Sequence, residues 1–204
     1  MDEKTYRDQF EVGEEEISKK WSIIQSVFRV PSPQEGHEYG AWPRFPDSIF
    51  QESCNLALLG EDPFVSEFEF NMFRRVLIEA DEDEFMVLVR YGSGAGKQYE
   101  LFCYPTDVAW ATFNDDNEAS LAIALSVLDH YVVGGSGQWG MHWIEPWGVY
   151  LVGYKTPNFL RALQSTYNFE GRGAEVVDSL PKEREAKRLH EIADQIRSQE
   201  SAVK

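Results

Sequence analysis

The stretch Phe85–Tyr104, FMVLVRYGSGAGKQYELFCY, decides the fold class. Two runs rich in β-branched and aromatic residues, FMVLVRY and QYELFCY, flank Gly92-Ser-Gly-Ala-Gly-Lys97, a segment too short and too glycine-rich for a helix. The pattern predicts an antiparallel hairpin, with the glycines supplying the positive φ angles of its tip. The same loop is a near miss for a phosphate-binding loop. Counting back from Gly96-Lys97, the first glycine position holds Tyr91, and Gln98 stands where a Ser or Thr would reach magnesium. A strand also follows where a helix should begin.

Working outward, VLIEA (76–80) reads as a strand joined to FMVLVRY through the acidic turn Asp81-Glu82-Asp83-Glu84, and DVAWATF (107–113) reads as a further strand after Pro105. MHWI and WGVYLVGY form a second hairpin around Glu145-Pro146. Several helices surround this sheet. Ile17, Trp21, Ile24 and Phe28 recur at steps of four, three and four, which places them on one helical face over 14–28. A helix is expected at 47–59, capped by Asp47, with Phe50, Cys54, Ala57 and Leu58 on one face and Gly60 as its stop. Residues 61–74 combine an Asp-Pro helix start with the strand-like alternation SEFEF, and are assigned a short helix. Asp115-x-x-Glu118 resembles a capping box for a helix to about residue 132, and Thr156-Pro157 opens another that turns Phe159, Leu160, Leu163 and Tyr167 inward. Residues 29–46, with four prolines and two glycines, form a long turn-rich loop.

The expected fold is therefore α+β: an antiparallel sheet of about five or six strands, a meander plus a hairpin, with helices packed on it. Residues 1–168 are assigned to a single domain and 169–180 to a linker. Residues 181–204 form a charged, amphipathic C-terminal helix whose narrow stripe is Leu189, Ile192, Ala193 and Ile196. That stripe is expected to dock on the chain's own core, with a homodimer through the helix as the other arrangement.

The 204 residues carry 19 basic and 35 acidic side chains, a formal net charge of −16. Such a field repels nucleic acid and anionic membranes and attracts cationic partners. No run of 18 apolar residues is present, and the acidic start has no secretory pattern, so a cytoplasmic protein is expected. Cys54 and Cys103 lie far apart and in no C-x-x-C spacing, which reads as two buried thiols.

Gly135-x-Gly137-x-x-Gly140 matches a dinucleotide fingerprint in letters only, because the expected order is helix, glycines, strand, with Gly134 or Gly135 as the left-handed residue that ends the helix. The four histidines are dispersed, and His142-x-x-Glu145 is at best half a metal site. Ser136 lies one residue short of a nucleophile elbow, and Cys103 reads as core. No cofactor and no metal is expected.

Two surfaces remain. One is the acidic set, in which only Arg74 and Arg75 offset nine acids between Glu61 and Glu84; Glu79, Asp81, Glu82, Asp83 and Glu84 are its focus. The other is the aromatic group Trp139, His142, Trp143, Glu145 and Trp147, whose rings either cover the core, as Trp commonly does, or form an anchor of the type that dominates binding hot spots. Together they lead to the expectation of a non-catalytic interaction protein, an immunity-type inhibitor that blocks a basic, nuclease-like partner. The acids would mimic phosphates and the aromatics would anchor. The alternatives are a small hydrolase or transferase with an acid–base site near loop 31–46, and a tryptophan-based carbohydrate or peptide binder.

Overall fold

The computed structural model describes residues 1–32, 49–60, 62–90, 99–114, 129–144, 148–167 and 187–194. In chain order the elements are α1 (Glu3–Phe10), α2 (Glu14–Val27), β1 (Asn55–Leu59), α3 (Glu67–Glu79), β2 (Glu84–Arg90), β3 (Tyr99–Pro105), α4 (Trp110–Phe113), β4 (Asp129–Gly134), β5 (Trp139–Ile144), β6 (Val149–Tyr154) and α5 (Pro157–Tyr167). A further helical stretch, α6, covers 187–194. The six strands form one antiparallel sheet in the order β1-β6-β5-β4-β2-β3, which establishes the α+β class.

Both faces of the sheet are covered. Alternation along each strand sends Val87, Phe102, Tyr104, Val132, Trp139, Tyr150 and Val152 to a core shared with α1, α3, α4 and α5. The opposite residues Met86, Leu88, Leu101, Tyr131, Val133 and Leu151 pack against Trp21, Ile24 and Val27 of α2 and against Leu189, Ile192 and Ala193 of α6. The C-terminal stripe thus docks in cis through those three residues; Ile196 lies outside the described residues.

Each helix on the first face has a local cause. Asp2 caps α1 by accepting from the Thr5 N–H at 2.9 Å, and Tyr6 and Phe10, one turn apart, point inward. Ser66 caps α3, whose Phe70, Phe73, Val76 and Leu77 follow the helical period into the core. The expected α5 is present and buries Phe159, Leu163 and Tyr167, while Leu160 is half-buried.

Four expectations are corrected. Residues 55–59 are the edge strand β1, paired with β6, rather than part of a helix; Phe50 makes an isolated antiparallel bridge to Phe28, and 47 and 48 lie outside the described residues. VLIEA completes α3, because Phe70 and Phe73 extend the same helical stripe through Val76 and Leu77 and tertiary burial overrides the β propensity of Val and Ile. The segment Trp110–Phe113 is the short helix α4. Residues 129–132, expected as the end of a helix from Asp115, belong to β4; the rest of that helix, 115–128, lies outside the described residues. β4 runs between β2 and β5 and is buried on both faces, so its sequence shows no alternation to separate it from a helical run.

A pair of glycines shapes the α2 side. Gly140 and Gly153 are register partners across β5 and β6, and the rings of Phe28 and Phe50, 4.8 Å apart, lie over them. A Cβ at Gly140 would sit 2.6 Å from the Phe28 ring, and one at Gly153 would sit 2.2 Å from Phe50. The two rings occupy the space that side chains would otherwise fill.

Candidate functional site

The acidic corner lies where α3 turns into β2. Ala80 caps the helix, the Asp81 N–H donates to the Ile78 carbonyl at 3.1 Å, and the Glu82 N–H donates to the Leu77 carbonyl at 2.9 Å. This pair of bonds is a Schellman motif, and it puts Asp81 at the left-handed position with φ 61°. Glycine is the usual occupant there. Asp81 is the only non-glycine residue with positive φ among the described residues, and it is exposed.

The corner is tied down on both sides. The Thr106 N–H donates to the Asp83 carbonyl at 2.9 Å, the Thr106 hydroxyl donates to the Glu82 carbonyl at 2.6 Å, and Arg74 Nε donates to the Thr106 carbonyl at 3.0 Å. The Glu82 side chain turns inward and is 6% exposed. Its carboxylate accepts from the Ser136 N–H at 3.1 Å, from the Ser136 hydroxyl and from the Trp139 indole N–H at 2.9 Å. The Gly135 N–H donates to the Glu84 carbonyl at 2.9 Å, so the β4–β5 turn is fastened to the acidic corner at two successive positions.

That turn is the Gly135–Gly140 glycine stretch. Its context is strand, tight turn, strand, closed by the Gly137 N–H to the Gly134 carbonyl at 2.9 Å, with Gly137 at φ 66°. The expected helix before it is β4, and the left-handed residue is Gly137 rather than Gly134 or Gly135. A helix N-terminus, the element that would receive a phosphate, does not follow the glycines.

Glu84 faces α2. Its carboxylate pairs with the Lys20 ammonium and accepts from the Cys103 thiol at 3.2 Å, while Lys20 Nζ lies 3.4 Å from Cys103 Sγ. Burial pushes the thiol up to about 11, and the Glu84 carboxylate adds to the shift, so Cys103 stays protonated at neutral pH and is a poor nucleophile. Partial burial disfavours both charges of the Lys20–Glu84 pair. Their mutual hydrogen bond outweighs it, holding the carboxyl below and the ammonium above their ordinary ranges. Between α2, with Glu16, Lys19 and Lys20, and the corner 81–84 runs an open cleft of about 770 Å³.

The sequence-derived site residues therefore separate. Glu79, Asp81 and Asp83 are exposed and Glu84 is half-buried at the cleft, whereas Glu82 is an internal anchor unavailable to a partner. Trp139 is fully buried, its ring parallel to Phe159 at 3.8 Å. His142 is buried on the α2 side, stacked on Tyr131 at 4.5 Å, and donates Nδ1–H to the His130 carbonyl at 3.1 Å. Burial, reinforced by the Arg90 charge, depresses it to about 4, so the ring is neutral at pH 7. Trp143 is half-buried against Tyr150 at 4.8 Å. The expected exposure of His142 is thus corrected, and Trp139 takes the core position rather than that of a partner anchor: β5 is the third strand of a sheet covered on both faces, so both of its faces are interior. Glu145 and Trp147 lie outside the described residues, as does loop 31–46 apart from Pro31 and Ser32. Among the described residues no group of three or more His, Cys, Asp or Glu is arranged to hold a metal ion, and no helix is long and apolar enough to cross a membrane.

Sequence reasoning missed Lys20, Cys103 and Ser136 as neighbours of the acids, because only the fold brings them together. It also missed the outer face of α3. Apart from Met1, the large apolar side chains exposed among the described residues are Val65, Phe68 and Ile78, at 68%, 69% and 63%. All three lie on α3 or its approach. Read as a helix, SEFEF sends Phe70 to the core and Phe68 to the outside, which was the available signal.

Compared with protein-family models, with curated proteins and with solved structures, the chain matches none.

Proposed function

We propose that the chain is a stoichiometric protein-binding module whose acidic corner engages a basic partner, with an immunity-type inhibitor as its most specific form. The supporting observation is Asp81. A carboxylate occupies a helix-ending position where glycine would be easier by about 1 kcal/mol, on a turn whose backbone is tied to α3, β3 and the β4–β5 turn. The acid is kept exposed at a conformational cost, which is the kind of local compromise that accompanies binding. Beside it stands Asp83, also exposed, so two carboxylates project from a pre-ordered turn, and exposed Glu79 borders it at the end of α3, where it accepts from the Ser165 hydroxyl. Pre-ordering lowers the entropic cost of pairing with Lys or Arg, and the negative field speeds encounter.

The test is affinity capture with the tagged chain from lysate of its own source, at low and at moderate salt, alongside Asp81→Asn/Asp83→Asn. A basic protein recovered in equal proportion, lost as salt rises and reduced in the double variant, is the expected result. Empty captures, or recovery unchanged by the double variant, would refute the reading.

A further inference from the structure

We propose that the outer face of α3 is the apolar half of this interface and receives a basic amphipathic helix of the partner. The inference rests on the acidic-corner reading and adds to it the shape and chemistry of the bound segment. At 100° per residue, Phe68, Arg75 and Ile78 fall within an arc of about 80° on the side of α3 away from the buried Phe70, Phe73, Val76 and Leu77, and Glu79 at the margin of that arc reaches Ser165 of α5. Phe68 and Ile78 are separated by ten residues, roughly 15 Å along the axis at the α-helical rise. Val65, just before the N-cap Ser66, is exposed as well. Two apolar anchors about three turns apart along the axis and about 80° apart around it match a rod that crosses α3 obliquely, with side chains repeating every third or fourth residue seated in the grooves.

The charges around the strip select the occupant. Exposed Glu67 stands at one end and Glu79, Asp81 and Asp83 at the other, with Arg75 as the exposed cation between them. A second copy of a chain with net charge −16 would bring acids against acids, and an anionic membrane would be repelled in the same way. A helix with Leu-like side chains on one face and Lys or Arg along its flanks satisfies both the apolar strip and its acidic ends.

The full chain is titrated with two synthetic peptides of equal length and charge: a helical Leu/Lys amphipath, and a Lys/Ser peptide without an apolar face. Both titrations are repeated with Phe68→Ala/Ile78→Ala and with Asp81→Asn/Asp83→Asn. All four substituted side chains are exposed, so the fold is retained, and a thermal melt verifies it. The expected result is that the apolar double variant weakens the Leu/Lys peptide about tenfold or more and leaves the Lys/Ser peptide unchanged. The acid double variant should weaken both, more at low salt. Equal affinity of the native chain for the two peptides overturns the proposal, as does a Leu/Lys affinity indifferent to Phe68 and Ile78. A self-association abolished by Phe68→Ala would also overturn it, by assigning the face to a second copy. Indifference of both peptides to Asp81 and Asp83 is a separate outcome: it removes the acidic-corner reading and, with it, the basic character assigned to the partner.

Discussion

The Trp139 indole donates to the Glu82 carboxylate at 2.9 Å, and through that bond the acidic corner is fastened to the core beneath α5. The same carboxylate holds the backbone N–H and hydroxyl of Ser136. Glutamine at position 82 would keep one accepting oxygen and turn an NH₂ group toward donors. Glu82→Gln is therefore expected to destabilise by about 2 kcal/mol, seen as a lower urea midpoint with an unchanged slope. An unchanged midpoint would mean that the corner does not depend on this anchor.

Asp81→Gly tests the left-handed turn. Removing the Cβ relieves the penalty at φ 61°, and the variant is expected to be more stable by up to about 1 kcal/mol. Asp81→Val should lose about 1–2 kcal/mol, since a β-branched residue tolerates this region poorly. Equilibrium denaturation of the pair reads both signs, and equal stabilities would contradict the turn geometry described.

Gly153→Ala probes the slot over the sheet. The new methyl would meet the Phe50 ring at 2.2 Å, and the ring would have to leave its place against Phe28. A loss of about 1–3 kcal/mol is expected. Combining it with Phe50→Ala should give back part of that loss, so a double-mutant cycle showing additivity would count against the contact.

His142 makes stability fall in mild acid. Its folded value of about 4 lies below the ordinary 6.5, because burial penalises the imidazolium. The unfolded chain therefore takes up this proton first, and the contribution is complete above pH 6.5. It declines as pH falls from about 6.5 to about 4, by a total of about 3 kcal/mol. His142→Phe, which keeps a ring against Tyr131, should flatten the stability profile across that window. A profile as steep as that of the native chain would assign the acid sensitivity to other groups.

Legibility differed by element for physical reasons. α2 and α5 each have one dominant partner surface, so their apolar residues repeat at an unambiguous period, as Trp21 and Ile24 or Phe159 and Leu163 show, whereas the β5–β6 hairpin is marked by its β-branched and aromatic runs on either side of Glu145-Pro146. β1 and β4 are read wrongly because the five residues NLALL and the run HYVVG are too short or too uniformly apolar to reveal a period. α1 escaped notice because its inward side is only Tyr6 and Phe10 among polar neighbours. At the site, Asp81, Asp83 and Glu84 were found by charge density alone. Glu82 stands between them with the same charge, and only the crossing of β4 and β5 behind it makes it a buried ligand for Ser136 and Trp139. Density of charge cannot distinguish a carboxylate facing water from one facing an indole.

The sheet order has a consequence for biosynthesis. β1 emerges early, yet its hydrogen-bonding partner is β6, with Asn55 opposite Tyr154. A ribosome must therefore add most of the domain before the first strand is paired. Until then β1 and the β5-facing side of β4 are open templates for other chains. Assembly dominated by so distant a closure is slow, and a transcript cut before the codons for β5 and β6 would yield a polypeptide prone to aggregate rather than a smaller working protein.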